Sequence, residues 1–266
     1  MRAIIWITMG LAVFAIMMST AFWYAFADVN GEEEPRKELL VYCGITMFKP
    51  IAEIARVIEK QEDCQIIIAR GGSGNLLHAI SVNQLGDLYL PGSHSYMKTC
   101  VQKGLVLETA VVGYNKAAIM VQKGNPKGIT NDLANLANPE YYVVIGDPDS
   151  GSIGRETKRI LQRRGIYEAV AHNARALTTD SKDLTKVLAD KEADVVVNWY
   201  ATSVWPENSP NVDAIAIDEQ YAGKKTLVLG VLTCSRHPEI AKKFLDYASS
   251  PKGVELFKRY GLYEVE

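Results

Sequence analysis

Three times along the chain, an apolar run stops at glycine and hydroxyl residues and gives way to a helical repeat. Leu39-Leu40-Val41-Tyr42-Cys43-Gly44 runs into Ile45-Thr46, and Pro50 with Ile51, Ile54 and Ile58 then marks a helix. The segment 65–69 (QIIIA) runs into Arg70-Gly71-Gly72-Ser73-Gly74-Asn75, and Leu76, Leu77 and Ile80 follow on one side of a second helix. The segment 141–146 (YYVVIG) leads through Asp149-Ser150-Gly151-Ser152-Ile153-Gly154 into a helix over 155–164. Short apolar runs bounded by turn residues read as buried strands. Their alternation with helical periods predicts α/β packing with parallel strands.

The rest of the chain continues the pattern. Strands are expected at 87–90, closed by Pro91-Gly92, and at 116–122, 193–199 and 225–233. Helices are expected at 131–136, 183–188, 239–248 and 252–260. No repeat of 20–50 residues, low-complexity tract or linker divides this part of the chain into sequential domains. Two α/β lobes with the chain crossing between them fit better than two beads on a string.

Residues 1–27 stand apart. No charged residue occurs from Ala3 to Ala27, Arg2 is the only basic flank, and Ala25-Phe26-Ala27 forms a small-x-small cleavage signature. An export signal is expected, while the run also reaches the roughly 20 residues that span a bilayer as an uncleaved anchor. Both readings put residues 28–266 outside the cytoplasm, with 28–38 as a polar linker.

Several function classes are excluded by composition and spacing. Lys and Arg number 29 against 31 Asp and Glu, without a basic stripe, which argues against nucleic acid. Cys43, Cys64, Cys100 and Cys234 lack CxxC pairs, and His78, His94, His172 and His237 lack metal-ligand spacing, so no metal or other cofactor is expected. No GxSxG elbow is present, and Ser73 and His78 point to different sides of one helix, so an enzyme is not expected.

The three loops have a common chemistry. A helix N-terminus leaves N–H groups unpaired, and its dipole favours an anion. Glycines let that backbone approach a ligand, and hydroxyls add neutral donors. The combination suits a dehydrated tetrahedral oxyanion, although Ser, Thr and Asp also serve as ordinary N-caps.

The segments LLVYCGIT, GGSGNLLHAI followed by GDLYLPGS, VVIGDPDSGSIGRE, KEADVVVNWY and GVELFKRYGL keep an order and spacing that resembles the periplasmic molybdate-binding proteins of ABC importers, over residues 39–266. The resemblance implies a two-lobed type II periplasmic-binding-protein fold. Each lobe is a mixed or parallel sheet flanked by helices, with the ligand cleft between the lobes. The first lobe is expected to comprise 39–116 and 227–266, and the second 117–226, with crossings near 114–118 and 223–229. The resemblance also implies a monomer that hands molybdate or tungstate to an ABC transporter permease. By position it assigns the ligand contacts to Thr46, Gly72, Ser73, Gly74, Ser152, Ile153 and Ser181. It adds Tyr200, or Trp199 if no residue is inserted. Two departures leave a phosphate-type anion open. Loop 149–152 is more like the DSGT-type loops of phosphate and some tungstate binders, and Arg70 and Arg155 flank two of the loops. Asp147 and Asp149 are candidate acceptors for a ligand proton, or simply turn residues. A membrane-anchored sensing module is the alternative to transport.

Overall fold

The computed structural model describes residues 36–263. The expected export signal or anchor at 1–27, and 28–35 of the linker, lie outside the described residues.

The chain begins with β1 (Lys37–Gly44), α1 (Phe48–Glu62), β2 (Cys64–Gly71), α2 (Ser73–Asn83), β3 (Leu88–Leu90), α3 (His94–Gln102) and β4 (Val106–Asn115). Next come β5 (Ala117–Gln122), β6 (Val144–Gly146), α4 (Ser152–Arg164), α5 (Tyr167–Asn173) and β7 (Ala176–Thr178). It finishes with α6 (Ser181–Ala189), β8 (Val195–Trp199), β9 (Val212–Ala216), β10 (Lys225–Leu232), α7 (Pro238–Ser249) and α8 (Pro251–Arg259).

These strands form two separate groups, and each organises a lobe. A five-stranded sheet has the order β2-β1-β3-β10-β4, and β8-β5-β9 and β6-β7 make the other group. A parallel bridge between Val143 and Val195 joins the members of the second group. The βα rhythm produces the parallel pairs expected of it, β1 with β2, β1 with β3, and β6 with β7. The sheets are nevertheless mixed. β10 runs antiparallel to β3 and β4, and β5 runs antiparallel to β8 and β9. β10 returns from the other lobe rather than through a crossover helix, so no right-handed βαβ unit fixes its direction.

Each lobe has its own core. α1 repeats apolar residues on one face and buries Ile51, Ile54 and Ile58 against Leu39 and Val41 of β1, Leu229 of β10 and Phe244 of α7. Ile80, Tyr89, Tyr96 and Met97 cover the opposite face of the same sheet. The second core gathers Ile119, Val121, Val143, Ile160, Leu184, Val196 and Trp199.

Several elements carry too weak a pattern to be expected. β4 leaves Leu107 and Val111 exposed at the rim of its sheet, so its apolar residues do not alternate cleanly. β7 buries none of its three residues, and α3, α5 and β9 are short. The helix expected at 131–136 is a 3-10 turn over Leu133–Ala137, capped by the Asp132 side chain. Among the described residues, no helix is long and apolar enough to cross a membrane.

Candidate functional site

Three helix N-termini converge where the lobes meet. α2 opens from the first lobe at Gly72-Ser73, and α4 and α6 open from the second at Gly151-Ser152 and Asp180-Ser181. Gly72 and Gly151 have no side chain with which to cap their helices; the first turn of α4 keeps its N–H groups for a ligand, whereas in α2 two of them, on Gly74 and Asn75, are taken by the Ser150 carbonyl and the Ser73 N–H is left. The turn Gly44-Ile45-Thr46 after β1, Gly92, and Trp199 at the end of β8 complete the wall. The enclosed space is small, about 10 Å³, room for about one water. A compact ligand suits a space of this size better than a bulky one.

The wall is polar but nearly uncharged. Thr46, Ser73, Ser152 and Ser181 are buried in it. Among the described residues, Asp180 is the one ionisable residue in the wall, and no cationic side chain lines it. Asp180 Oδ1 accepts from the backbone N–H of Lys182 at 2.7 Å and of Asp183 at 3.2 Å, which caps α6. Burial pushes the Asp180 carboxyl above the usual carboxylate range, against the pull of those two N–H groups. Helix dipoles, backbone N–H groups and hydroxyls therefore supply the positive potential. This set can hold an anion without a formal ion pair.

The lobes also bond directly beside this space. Gly74 N–H donates to the Ser150 carbonyl at 2.9 Å, and Asn75 N–H to the same oxygen at 3.3 Å. A residue from one lobe thus satisfies the α2 turn of the other.

Residues 39–263 match the bacterial extracellular solute-binding protein family. The chain belongs to that family.

Relatives of this solute-binding protein include the molybdate-binding protein ModA of Escherichia coli strain K12. It is 21% identical over 245 residues, covering 89% of this chain and 93% of the relative. The solved periplasmic molybdate-binding protein of Azotobacter vinelandii superposes with a TM-score of 0.72 at 14% identity, covering 86% of this chain and all of that one. The sulfate-binding protein SubI of Mycobacterium tuberculosis H37Rv superposes with a TM-score of 0.73 at 15% identity, covering 87% of this chain and 88% of that one. The structural likenesses show the fold, a two-lobed type II periplasmic-binding-protein fold.

The expected contact residues divide in the solute-binding protein. Thr46, Gly72, Ser73, Ser152, Ile153 and Ser181 all line the space, brought together from both lobes. Gly74 and Tyr200 do not line it. The Gly74 N–H is engaged by Ser150, and a β-carbon there would overlap the Asp149 carbonyl oxygen, so this glycine serves the meeting of the lobes. The position expected for Tyr200 is taken by Trp199. Successive side chains leave a strand on opposite sides, and β8 ends with Trp199 inward. Tyr200 turns away into a 3-10 turn, its ring 6.2 Å from that of Tyr263.

The flanking arginines lie outside the wall. The Arg155 guanidinium stacks 3.6 Å over the Tyr96 ring, and Arg70 lies 4.5 Å over Phe48. Arg70 lines a neighbouring cavity of about 190 Å³ with Lys182 and Trp205. Asp147 Oδ1 accepts from Asp149 N–H at 2.9 Å, the turn role for this pair.

Sequence reading missed Gly92 and Asp180. Gly92 looked only like the end of a strand turn, although its close approach to Ser152 leaves no room for a β-carbon. Asp180 was legible as an N-cap, since it precedes Ser181 and the apolar period of α6.

Proposed function

We propose that this solute-binding protein captures a tetrahedral oxyanion outside the cytoplasm, molybdate or tungstate first, and delivers it as a monomer to an ABC transporter permease. The observation that carries the reading is the meeting of three helix N-termini and four buried hydroxyls around a space of a few atoms without a cation in its wall. A dehydrated dianion accepts many hydrogen bonds at once and donates none, which matches such a wall. Similarity to molybdate-binding proteins supports the choice of ion, and the sulfate-binding neighbour keeps a smaller dianion in the test.

Thr46, Ser73, Ser152 and Ser181 contribute hydroxyls on this reading, and Gly72, Ile153 and Ser181 contribute backbone N–H groups. The lobes, 39–116 with 227–266 and 117–226, hinge about the crossings next to Asn115 and Lys225, and no bond is made or broken. Residues 1–27 direct export.

A thermal-shift panel of the purified protein with molybdate, tungstate, sulfate, phosphate and arsenate tests this. A ligand confined to the folded state adds about 2.7 kcal/mol at 100-fold over its Kd. A large shift with molybdate and tungstate supports the reading. A shift with phosphate or arsenate alone transfers it to the phosphate-type alternative. A folded sample that no oxyanion shifts overturns it and points to another solute.

A further inference from the structure

The larger cavity, of about 190 Å³, lies beside the small one and is also built by both lobes. Ile45 belongs to both walls. Phe48 and Arg70 come from the first lobe, and Lys182, Thr202 and Trp205 from the second. Its chemistry is the reverse of its neighbour's. Ile45, Phe48 and Trp205 give it apolar walls, and its hydroxyls are engaged within the second lobe. Thr185 Oγ1 donates to the Ser181 carbonyl at 3.0 Å, and Thr202 Oγ1 to the Trp199 carbonyl at 3.0 Å. Its cations are not engaged in this way. Among the described residues, neither the Arg70 guanidinium nor the Lys182 ammonium makes an ion pair, and Arg70 only lies 4.5 Å over the Phe48 ring. The nearby carboxylates are committed elsewhere. Glu207 pairs with Lys49 at 2.7 Å, and Asp180 caps its own helix.

We propose that this cavity is a second ligand site, which takes a small organic carboxylate with an apolar body and draws the lobes together around it. Two like charges that line one space from opposite lobes repel each other when the lobes close, and an anion between them turns that repulsion into attraction. A guanidinium lying over a ring keeps its edge N–H groups for a carboxylate, and the Lys182 ammonium adds a point charge from the other side. The aromatic walls of Phe48 and Trp205 suit the rest of the molecule, and a bare inorganic anion would leave them uncovered. The volume holds a compact organic molecule, since it falls below the roughly 300–1,000 Å³ of drug-sized pockets. Binding here is independent of the oxyanion reading, and only its coupling to the small cavity rests on that reading. A ligand that favours closed lobes raises the affinity of any other ligand that closes them, and the effect is reciprocal.

Calorimetric titration of the protein with benzoate and hexanoate, each beside its uncharged amide and with or without saturating molybdate, tests the site. At least one carboxylate is expected to bind with a Kd below about 1 mM, and its amide much more weakly, because the amide brings no charge to the two cations. Arg70→Gln and Lys182→Gln each remove a cation that lies outside the small cavity's wall. Each is expected to weaken carboxylate binding about tenfold. Saturating molybdate is expected to tighten carboxylate binding at least about fivefold. If neither carboxylate binds, the proposal is overturned, and the two cations are left as a pair that steers anions towards the cleft. A carboxylate that molybdate displaces shares the small cavity, which overturns it as well. So does binding that neither variant weakens, since the carboxylate then sits elsewhere, and so does binding that saturating molybdate leaves unchanged, since the lobes are then not drawn together. A wild type that binds carboxylate and no oxyanion loses the oxyanion reading and keeps the second site. One that binds oxyanion and no carboxylate loses the second site alone.

Discussion

Gly74 and Ser150 join the two lobes through the backbone, N–H to carbonyl at 2.9 Å, next to the space where three helix N-termini meet. The contact depends on the absence of a side chain, since a β-carbon on Gly74 would overlap the Asp149 carbonyl oxygen. Gly74→Ala therefore acts on closure more than on either core. Overpacking costs about 1–3 kcal/mol, so oxyanion affinity is expected to fall roughly tenfold to a hundredfold. The unliganded melting temperature should stay close to wild type. Calorimetric titration and small-angle scattering check this, the variant remaining more extended at saturating wild-type ligand. Unchanged affinity would show that the lobes close by another contact.

Asp180 gives the site a pH dependence with a definite sign. Burial already raises its carboxyl, and an anion arriving beside it disfavours the ionised form further. Binding then favours the protonated carboxyl, and affinity rises as pH falls towards the raised pKa of that carboxyl for an anion that stays fully deprotonated. The unliganded protein shows the related effect. Between the ordinary carboxylate pKa and the raised folded one, the native state binds more protons than the unfolded state. Stability therefore declines as pH rises through that window. Asp180→Asn keeps an N-cap and is expected to flatten the binding profile, read by titration in buffers of different ionisation heat. A wild-type profile that rises with pH would contradict the argument.

How much of this was legible varies with the range of the interaction. The loops opening α2 and α4 were readable because strand, glycine, hydroxyl and helix follow one another within a few residues. The partners behind the hydroxyls were not. Asn115 reaches Thr46 across 69 positions, and Trp199 reaches Ser152 across 47, and local pattern carries no signal at such separations. The choice between Trp199 and Tyr200 turned on one residue of register, and a strand reverses the side of every residue when it slips by one. The antiparallel direction of β10 escaped for a similar reason, since an apolar run does not say which way it lies against its neighbours.

Core substitutions should separate folding from binding. Phe244 in α7 is fully buried between α1 and the five-stranded sheet, far in sequence from every cavity residue. Phe244→Ala removes most of a large side chain from a packed core and is expected to cost about 3–5 kcal/mol. The urea midpoint falls accordingly, with the slope kept if unfolding stays two-state. At temperatures where the variant is folded, its oxyanion affinity should match wild type. An affinity loss under those conditions would show that the core of the first lobe also sets the cavity.

The last prediction concerns Glu156, which holds the start of β10 to α4. Only 7% of its side chain is exposed, and it meets the Arg159 guanidinium and, at 3.4 Å, the Lys225 ammonium. Removing one partner of a fully buried pair costs about 3–5 kcal/mol, because the remaining charge is stranded away from water. Here the cations keep 34% and 25% of their side chains exposed, so both can regain water when the carboxylate is lost. Glu156→Gln is therefore expected to cost less, about 1–3 kcal/mol. Its urea midpoint should fall with little change in slope, and the loss should be measurable in both low and moderate salt, since the carboxylate itself is shielded from screening. A variant as stable as wild type would mean that desolvating Glu156 already cancels what its two cations contribute.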